Sequence, residues 1–215
     1  MDGPVESNRA ALLRDLVRGR RSVRRYRPDG VPDDLLHRLI EAATWAPSAH
    51  NRQPWRFVTL AADPKARLAR AMADRLRAER TADGDDPADI AADAARSVAR
   101  IEGAPAVLLV CLTLADMDGY ADARRTAAEC TMATQSTAMA VQNLLLAAHA
   151  EGLGASWMCA PLFCPEVVRA ALSLPADFEP QALITLGWPD APGKRRARKA
   201  PADVIWTPPA PRDGA

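Results

Sequence analysis

A short run of hydrogen-bonding side chains stands between prolines and tryptophans at residues 45–57. It contains Ser48, Asn51 and Gln53, one hydroxyl and two carboxamides within six positions. The neighbouring prolines disfavour regular secondary structure, so the run indicates a rigid loop that offers donors and acceptors to a flat polar ligand. The alternative is an ordinary turn in which these side chains cap the backbone. His50, in the same run, could donate to a substrate or cap this loop.

Arginines are concentrated in two further segments. Residues 20–27 hold five arginines around Ser22, and residues 194–199 hold three arginines and two lysines. Guanidinium groups bind anions in a bidentate manner and remain charged, so these segments are suited to a phosphate and to an electron-rich ring edge. Each segment alone is more often a solvated surface. Their combination with the amide loop favours a ligand-binding site.

The chain resembles the FMN-dependent nitroreductase-like flavoproteins from about residue 10 to about residue 206. The resemblance depends on four pieces in a fixed order: Arg-Arg-Ser-Val-Arg at 20–24, Ala-Pro-Ser-Ala-His-Asn-Arg-Gln-Pro-Trp at 46–55, Gly-Leu-Gly-Ala-Ser-Trp-Met at 152–158, and Arg-x-Arg at 196–198. It implies an α+β nitroreductase-like fold, with a central, mostly antiparallel sheet flanked by helices. It also implies a homodimer with a long helix at its interface and FMN sites shared between the subunits.

The resemblance assigns cofactor-binding roles to individual positions. Arg20 and Ser22, with Arg196 and Arg198, would hold the FMN phosphate, and Arg24 would approach the N1 and O2 edge of the flavin ring. A fixed cation there stabilises the negative charge that two-electron reduction leaves near N1. The full set that the resemblance implies is Arg20, Arg21, Ser22, Arg24, Pro47, Ser48, Ala49, Asn51, Gln53, Met158, Cys159, Ala160, Arg196 and Arg198.

Two of these groups have a further expected placement. The loop residues from Pro47 to Gln53 would border the ring and ribityl chain from the other subunit. Backbone N–H groups at residues 158–160 would reach the N5 side. No catalytic side chain is expected beyond the electrostatic role of Arg24 and a candidate role for His50, because the flavin carries the hydride. Cys159 is interpreted as a small packing residue, since nothing beside it in sequence would lower its pKa.

Within the family, the chain is most similar to the reductase module of deazaflavin (factor-420) coenzyme biosynthesis, through residues 103–107, 120–132 and 167–180. That similarity implies hydride transfer through FMN hydroquinone to a small conjugated acceptor, a dehydro precursor of the deazaflavin coenzyme. NAD(P)H or a reduced deazaflavin would be the electron donor. One alternative is a broad NAD(P)H-dependent reductase of nitro compounds or quinones. The other is a non-catalytic protein that binds flavin or deazaflavin.

Composition limits the partners and the compartment. A net charge of +1 over 215 residues gives no reason to expect a nucleic-acid or membrane partner. The four cysteines form no CxxC pair and lie near no histidine cluster, so we expect reduced, mostly packing residues and no metal site. Residues 1–9 lack an apolar targeting core, and a cytoplasmic protein is therefore expected. One domain over residues 1–215 is predicted, with about 1–9 and 207–215 flexible.

Hydrophobic periodicity predicts the secondary structure. A first helix ends at Gly19, and a second begins at Pro32 and Asp33. Further helices are predicted at 64–80, 87–101, 121–150 and 165–172, and buried strands at 54–60, 105–113, 153–158 and 180–187. The polar stretch at 78–92 is expected to form either a surface loop or a mobile lid. Trp55, Trp157 and His149 are expected to be structural.

Overall fold

An antiparallel sheet of four strands lies at the centre of the computed structural model, which describes residues 8–208. The strands are β1 (Trp55–Thr59), β2 (Ala106–Leu112), β3 (Gly154–Met158) and β4 (Glu179–Gly187), in the spatial order β1-β2-β4-β3. All seven residues of β2 are buried, as expected for a central strand covered on both faces. The predicted antiparallel sheet is therefore confirmed.

Helices cover both faces of this sheet. They are α1 (Asn8–Gly19), α2 (Asp33–Thr44), α3 (Ala62–Ala82), α4 (Pro87–Glu102), α5 (Ala123–Ala150) and α6 (Pro165–Leu172). Short 3-10 turns occupy Ala49–Asn51, Ala160–Phe163 and Pro201–Asp203. Side chains from α2 and α5 complete the core on one face, and side chains from α3, α4 and α6 complete it on the other. Both cores are built mainly from Leu, Ile, Val and Ala, which pack without leaving polar groups unpaired.

The helix α5 is the longest element of the fold. Its 28 residues span about 42 Å at the usual rise per residue. The Asp122 carboxylate caps its first turn by accepting a hydrogen bond of 2.9 Å from the Arg125 backbone N–H. One face of α5 is buried against the sheet, whereas Ala138 and Met139 on the opposite face are exposed. Over residues 8–208, no helix is long and apolar enough to span a membrane.

The segment 78–92, predicted as a loop or a lid, is mostly helical. It comprises the end of α3, a short turn and the first turns of α4. The Asp86 carboxylate caps α4 by accepting from the backbone N–H groups of Ala88, at 2.8 Å, and Asp89, at 3.3 Å. Arg80 on α3 pairs with Asp85 and with Asp93 on α4. The expectation of a loop or lid over the whole of 78–92 is therefore wrong, because a capped helix hairpin satisfies the backbone of this polar stretch, whereas the helices predicted at 64–80 and 87–101 match α3 and α4.

Two of the four cysteines are buried and two are exposed. Cys111 and Cys164 are buried, and burial raises the pKa of the Cys111 thiol to about 12. Cys130 and Cys159 are exposed, so the interpretation of Cys159 as a packing residue is wrong. All four are free thiols. Among residues 8–208 there is no group of three or more His, Cys, Asp or Glu side chains that could hold a metal ion.

The predicted chain ends lie partly outside the described residues. Of the termini expected to be flexible, residues 1–7 and 209–215 are not described by the structure. Asn8 and Arg9 form the start of α1. The single domain over residues 1–215 stays a prediction.

Candidate functional site

A cation-lined cavity of about 700 Å³ lies where the first arginine segment meets the C-terminal segment. Among residues 8–208, eight cationic side chains line it, and no carboxylate does. Ser22, Val23 and the turn at residues 191–193 complete the wall. The cationic residues are Arg20, Arg21, Arg24, Arg25, Arg100, Lys194, Arg196 and Arg198. Six predicted cofactor-binding residues therefore share one cavity: Arg20, Arg21, Ser22, Arg24, Arg196 and Arg198.

The first arginine segment is positioned by the edge strand β3. Ser22 forms a bridge with Ala155, and the Val23 backbone N–H donates to the Ala155 carbonyl at 2.9 Å. The Val23 side chain is buried directly over Gly154, where an added Cβ would lie 2.7 Å from the Val23 Cβ. Only glycine allows this close approach. The glycine that begins β3 thus lets the arginine segment pack on the sheet.

Tyr26 fixes the other end of this segment. Its hydroxyl lies 2.6 Å from the Val23 carbonyl, 3.0 Å from the Thr185 carbonyl and 2.8 Å from the Thr185 hydroxyl. Burial raises the pKa of Tyr26 to about 12, although the hydrogen bond with Thr185 opposes the shift. The neutral phenol therefore ties residues 23–26 to β4 at physiological pH.

The C-terminal segment is brought to the cavity by Gly193. A Cβ on this residue would lie 2.9 Å from the Ser22 carbonyl oxygen and would collide with the Arg21 Cβ. The Asp190 backbone N–H donates to the Arg25 carbonyl at 3.1 Å, which holds the preceding turn against the same segment. Because Gly193 packs closely against Ser22, the residues that follow it lie beside the first arginine segment, and Arg196 and Arg198 line the cavity.

The positive charge of the cavity is not neutralised by carboxylates of the described residues. Among residues 8–208, no cation of the cavity wall forms an ion pair with a carboxylate. Arg21 instead donates to the Arg20 carbonyl at 2.7 Å, and Arg198 donates to the carbonyls of Arg196 and Ala197. Like charges held together without counter-charges raise the free energy of the folded chain, so the cavity favours an anionic occupant.

The amide loop has an unusual backbone. His50, Asn51 and Gln53 have positive φ angles of 49°, 54° and 50°. The loop is held by its own hydrogen bonds, in which the Ser48 hydroxyl accepts from the Gln53 N–H at 3.0 Å. Arg52 anchors it through an ion pair of 2.8 Å with Asp118. Non-glycine residues in this conformation are strained, and such strain is concentrated at functional sites.

The third predicted segment follows the end of β3. Met158 and Ala160 are half-buried, Cys159 is exposed, and the next residues include the exposed Leu162 and Phe163. Neither this segment nor the amide loop lines the cation-lined cavity of the same chain. The amide loop precedes β1, at the opposite edge of the sheet from β3. One chain therefore brings together the arginine groups but not the three predicted segments.

Three cations of the wall were not among the predicted site residues. Arg25 and Lys194 lie within the two arginine-rich segments, but no motif distinguishes them there. Arg100 lies on α4, far from either segment in sequence, and only the fold brings it to the cavity. No spacing pattern could have indicated it. His50 is exposed, and its side chain makes no hydrogen bond within the described part of the chain.

Comparison with known proteins identifies the family. A family model described as the nitroreductase family matches residues 17–188. This range includes the first arginine segment, the amide loop and all four strands. The chain belongs to the nitroreductase family. The predicted family, the predicted fold and the predicted class of enzyme, an oxidoreductase, are confirmed.

Individual relatives of this nitroreductase-family chain have different names. It is 35% identical over 177 residues to 5,6-dimethylbenzimidazole synthase of Rhodospirillum rubrum, covering 81% of this chain and 80% of the relative. It is 34% identical over 214 residues to an NADH dehydrogenase of Thermus thermophilus, covering 88% and 90%. The similarity to proteins with two different activities does not by itself choose the reaction.

A solved structure is similar over nearly the whole nitroreductase-family chain. It is a nitroreductase from Desulfovibrio desulfuricans in complex with FMN, with 29% sequence identity and a TM-score of 0.72. The match covers 96% of this chain and 100% of that one.

Proposed function

We propose that the protein is an FMN-dependent oxidoreductase that passes a hydride from NAD(P)H to a small conjugated organic acceptor. The observation that carries this proposal is the cavity in which residues 20–25, Arg100 and residues 191–198 assemble eight cations, with no carboxylate from residues 8–208 in its wall. The family assignment, the FMN complex of the Desulfovibrio relative and the NADH dehydrogenase relative support it.

The residues of the cavity fit FMN. Arg20, Ser22, Arg196 and Arg198 would hold the phosphate, whose negative charges meet only cations and a hydroxyl there. Arg21 adds to the same positive potential, and Arg24 would face the ring edge. When bound, FMN supplies the two-electron chemistry, accepting and donating a hydride. The contribution of the protein is to bind the cofactor, to orient it and to place positive charge where reduction adds negative charge.

The rest of the site is proposed to come from a second copy of the chain. The residues from Pro47 to Gln53 present amides on a rigid, strained loop outside the cavity of their own chain. Large apolar side chains are left exposed in one chain, among them Trp45 at 81%, Phe163 at 76% and Trp206 at 77% exposure. Such side chains are typical of an interface. In the proposed homodimer, the loop of one chain and residues 158–160 border a flavin bound to the cations.

A second candidate acceptor is a dehydro precursor of a deazaflavin coenzyme. The similarity of residues 103–107, 120–132 and 167–180 to the corresponding reductase module suggests it. The observation that favours it here is the number of cations in the cavity, which exceeds the charge of FMN and suits a phosphorylated acceptor. We further expect a cytoplasmic protein that acts on small molecules.

Anaerobic reduction of the FMN-loaded protein tests the proposed function. NADH, NADPH and a reduced deazaflavin are compared as donors by following the loss of flavin absorbance. The reduced protein is then mixed with a quinone, a nitroaromatic compound or a dehydro-deazaflavin, and reoxidation is timed. Rapid reduction and reoxidation by one pair would support the proposal and name the substrates. An FMN-loaded protein that no donor reduces would identify a non-catalytic flavin-binding protein instead.

A further inference from the structure

The cation-lined cavity contains more positive charge than FMN can balance. A phosphate monoester carries about two negative charges near neutral pH, and reduction of the ring adds about one more. The cavity wall holds eight cationic side chains. Assigning Arg20, Arg21, Arg24, Arg196 and Arg198 to FMN leaves Arg25, Arg100 and Lys194 without an anion.

These three residues come from three different parts of the chain. Arg25 follows the bridge to β3, Arg100 lies in the last turn of α4, and Lys194 follows Gly193. A run of surface cations would be contiguous in sequence or along one helix face. Here the tertiary structure places them on the wall of one cavity, to which residues 8–208 contribute no carboxylate.

The same helix provides a contrast to Arg100. Arg96, one turn earlier on α4, is exposed and ion-paired with Asp93. Arg100 is also exposed, but it has no carboxylate partner within residues 8–208 and lines the cavity. The helix dipole stabilises a cation in the last turn of a helix, so it can account for the presence of an arginine at position 100. The dipole does not explain why Arg25 and Lys194 share the cavity with it.

We propose that Arg25, Arg100 and Lys194 form a second anion subsite beside the FMN phosphate, which binds the phosphate group of the second substrate. The inference builds on the proposed function, since it presupposes bound FMN. Its ligand chemistry is a phosphate monoester, which either the additional phosphate that distinguishes NADPH from NADH or a phosphorylated organic acceptor supplies. The subsite would select phosphorylated substrates over unphosphorylated ones by charge.

Binding of inorganic pyrophosphate to the FMN-loaded protein tests the subsite directly. Calorimetry would measure the affinity, and fluorescence of the filtrate would report any released FMN. We expect the wild type and R96A to bind pyrophosphate alike and to retain FMN, with R100A and K194A at least about fivefold weaker. R96A is the matched control, because it removes the same charge from the same helix. Absence of binding, binding only as FMN is released, or equal affinities of R100A and R96A would overturn the inference.

Steady-state kinetics then distinguish the two sources of the phosphate. With one quinone as acceptor, a preference of the wild type for NADPH over NADH that R100A loses would assign the subsite to the donor. Equal use of both donors, with competitive inhibition by pyrophosphate against a phosphorylated deazaflavin, would assign it to the acceptor. If neither of these two patterns is observed, the result contradicts a substrate subsite. Failure of the proposed function is seen separately, as an FMN-loaded protein that no donor reduces or as a chain that takes up no FMN.

Discussion

At the scale of single residues, the cations of the cavity differ in the charge that each is proposed to meet. Arg20, Arg196 and Arg198 share the cavity wall with Ser22, as a phosphate site requires. Arg24 lies in the same wall but is proposed to face the ring. The phosphate has the same charge in both redox states, whereas the ring gains negative charge only on reduction. The two roles therefore differ in their effect on the reduction potential.

Arg198→Ala should mainly weaken FMN binding, while Arg24→Ala should also lower the midpoint potential of the bound flavin. A tenfold change in relative affinity for the reduced form corresponds to about 30 mV for a two-electron couple. Spectroelectrochemical titration of both variants, each saturated with FMN, would measure the shift. Equal potentials of the wild type and Arg24→Ala would place Arg24 away from the ring.

Tyr26 should make the free energy of unfolding depend on pH in the alkaline range. Burial raises its pKa to about 12, above the ordinary value of 10.0. The unfolded chain therefore ionises Tyr26 first, and its contribution to stability, complete below about pH 10, is lost as the pH rises towards 12. At pH 8, Tyr26→Phe should be less stable than the wild type by about 1–3 kcal/mol, since hydrogen-bond partners are left buried.

Urea unfolding at pH 8, 10 and 11 measures this difference. The gap between the wild type and Tyr26→Phe should shrink as the pH rises, because only the wild type pays the cost of keeping this phenol neutral. Tyr120→Phe is the control, since the Tyr120 side chain is 39% exposed and its hydroxyl makes no hydrogen bond within residues 8–208. A gap that is constant over this pH range would contradict the assigned role of the Tyr26 hydroxyl.

At the scale of elements, local patterns were sufficient for the framework and insufficient for the site. The helices and strands follow the predicted ranges closely, because their apolar periodicity is carried by neighbouring residues. The arginine clusters were recognisable because their members are also neighbours in sequence. Arg100 and the exposure of Cys159 were not, since both depend on which elements the fold brings together. At 78–92, the predicted helix boundaries at 80 and 87 lie close to the end of α3 and the start of α4, whereas the expectation of a loop or lid across the whole stretch was wrong, because its polar surface resembles a loop.

Gly193→Ala should separate the two halves of the cavity without unfolding the chain. The new methyl group would collide with the Arg21 side chain and approach the Ser22 carbonyl, so the C-terminal segment must move away. We expect the dissociation constant of FMN to rise about tenfold, or about 1.4 kcal/mol. Gly30→Ala is the control, because an added Cβ there meets nothing within 4 Å. Unchanged FMN affinity in Gly193→Ala would show that this contact does not support the site.

At the scale of the whole molecule, positive charge is concentrated in one cavity although the net charge is close to zero. The net charge is +1, yet one cavity gathers eight cations and no carboxylate from the part of the chain that the structure describes. Composition could not predict this, because it is the fold that separates acidic from basic side chains. The single chain also leaves large apolar side chains exposed, and it keeps the amide loop apart from the cations. The proposed dimer, whose subunits would complete each other's sites, would account for both features.

The FMN-loaded protein should therefore be a stable dimer. Burying Trp45, Phe163 and Trp206 against a partner removes apolar surface from water, which favours association. Light scattering across a range of concentrations should give the mass of two 23.1 kDa chains. A monomer that retains FMN at every concentration would reject the shared site.

Titration of the purified chain with FMN tests the central claim most directly. The account predicts tight, noncovalent uptake of one FMN per chain, with quenching of flavin fluorescence and weaker uptake when Arg20 and Arg198 are replaced by alanine together. The double variant tests the cavity itself, since both residues lie in its wall. A wild-type chain that takes up no FMN, or a double variant that binds it as tightly as the wild type, would contradict the account.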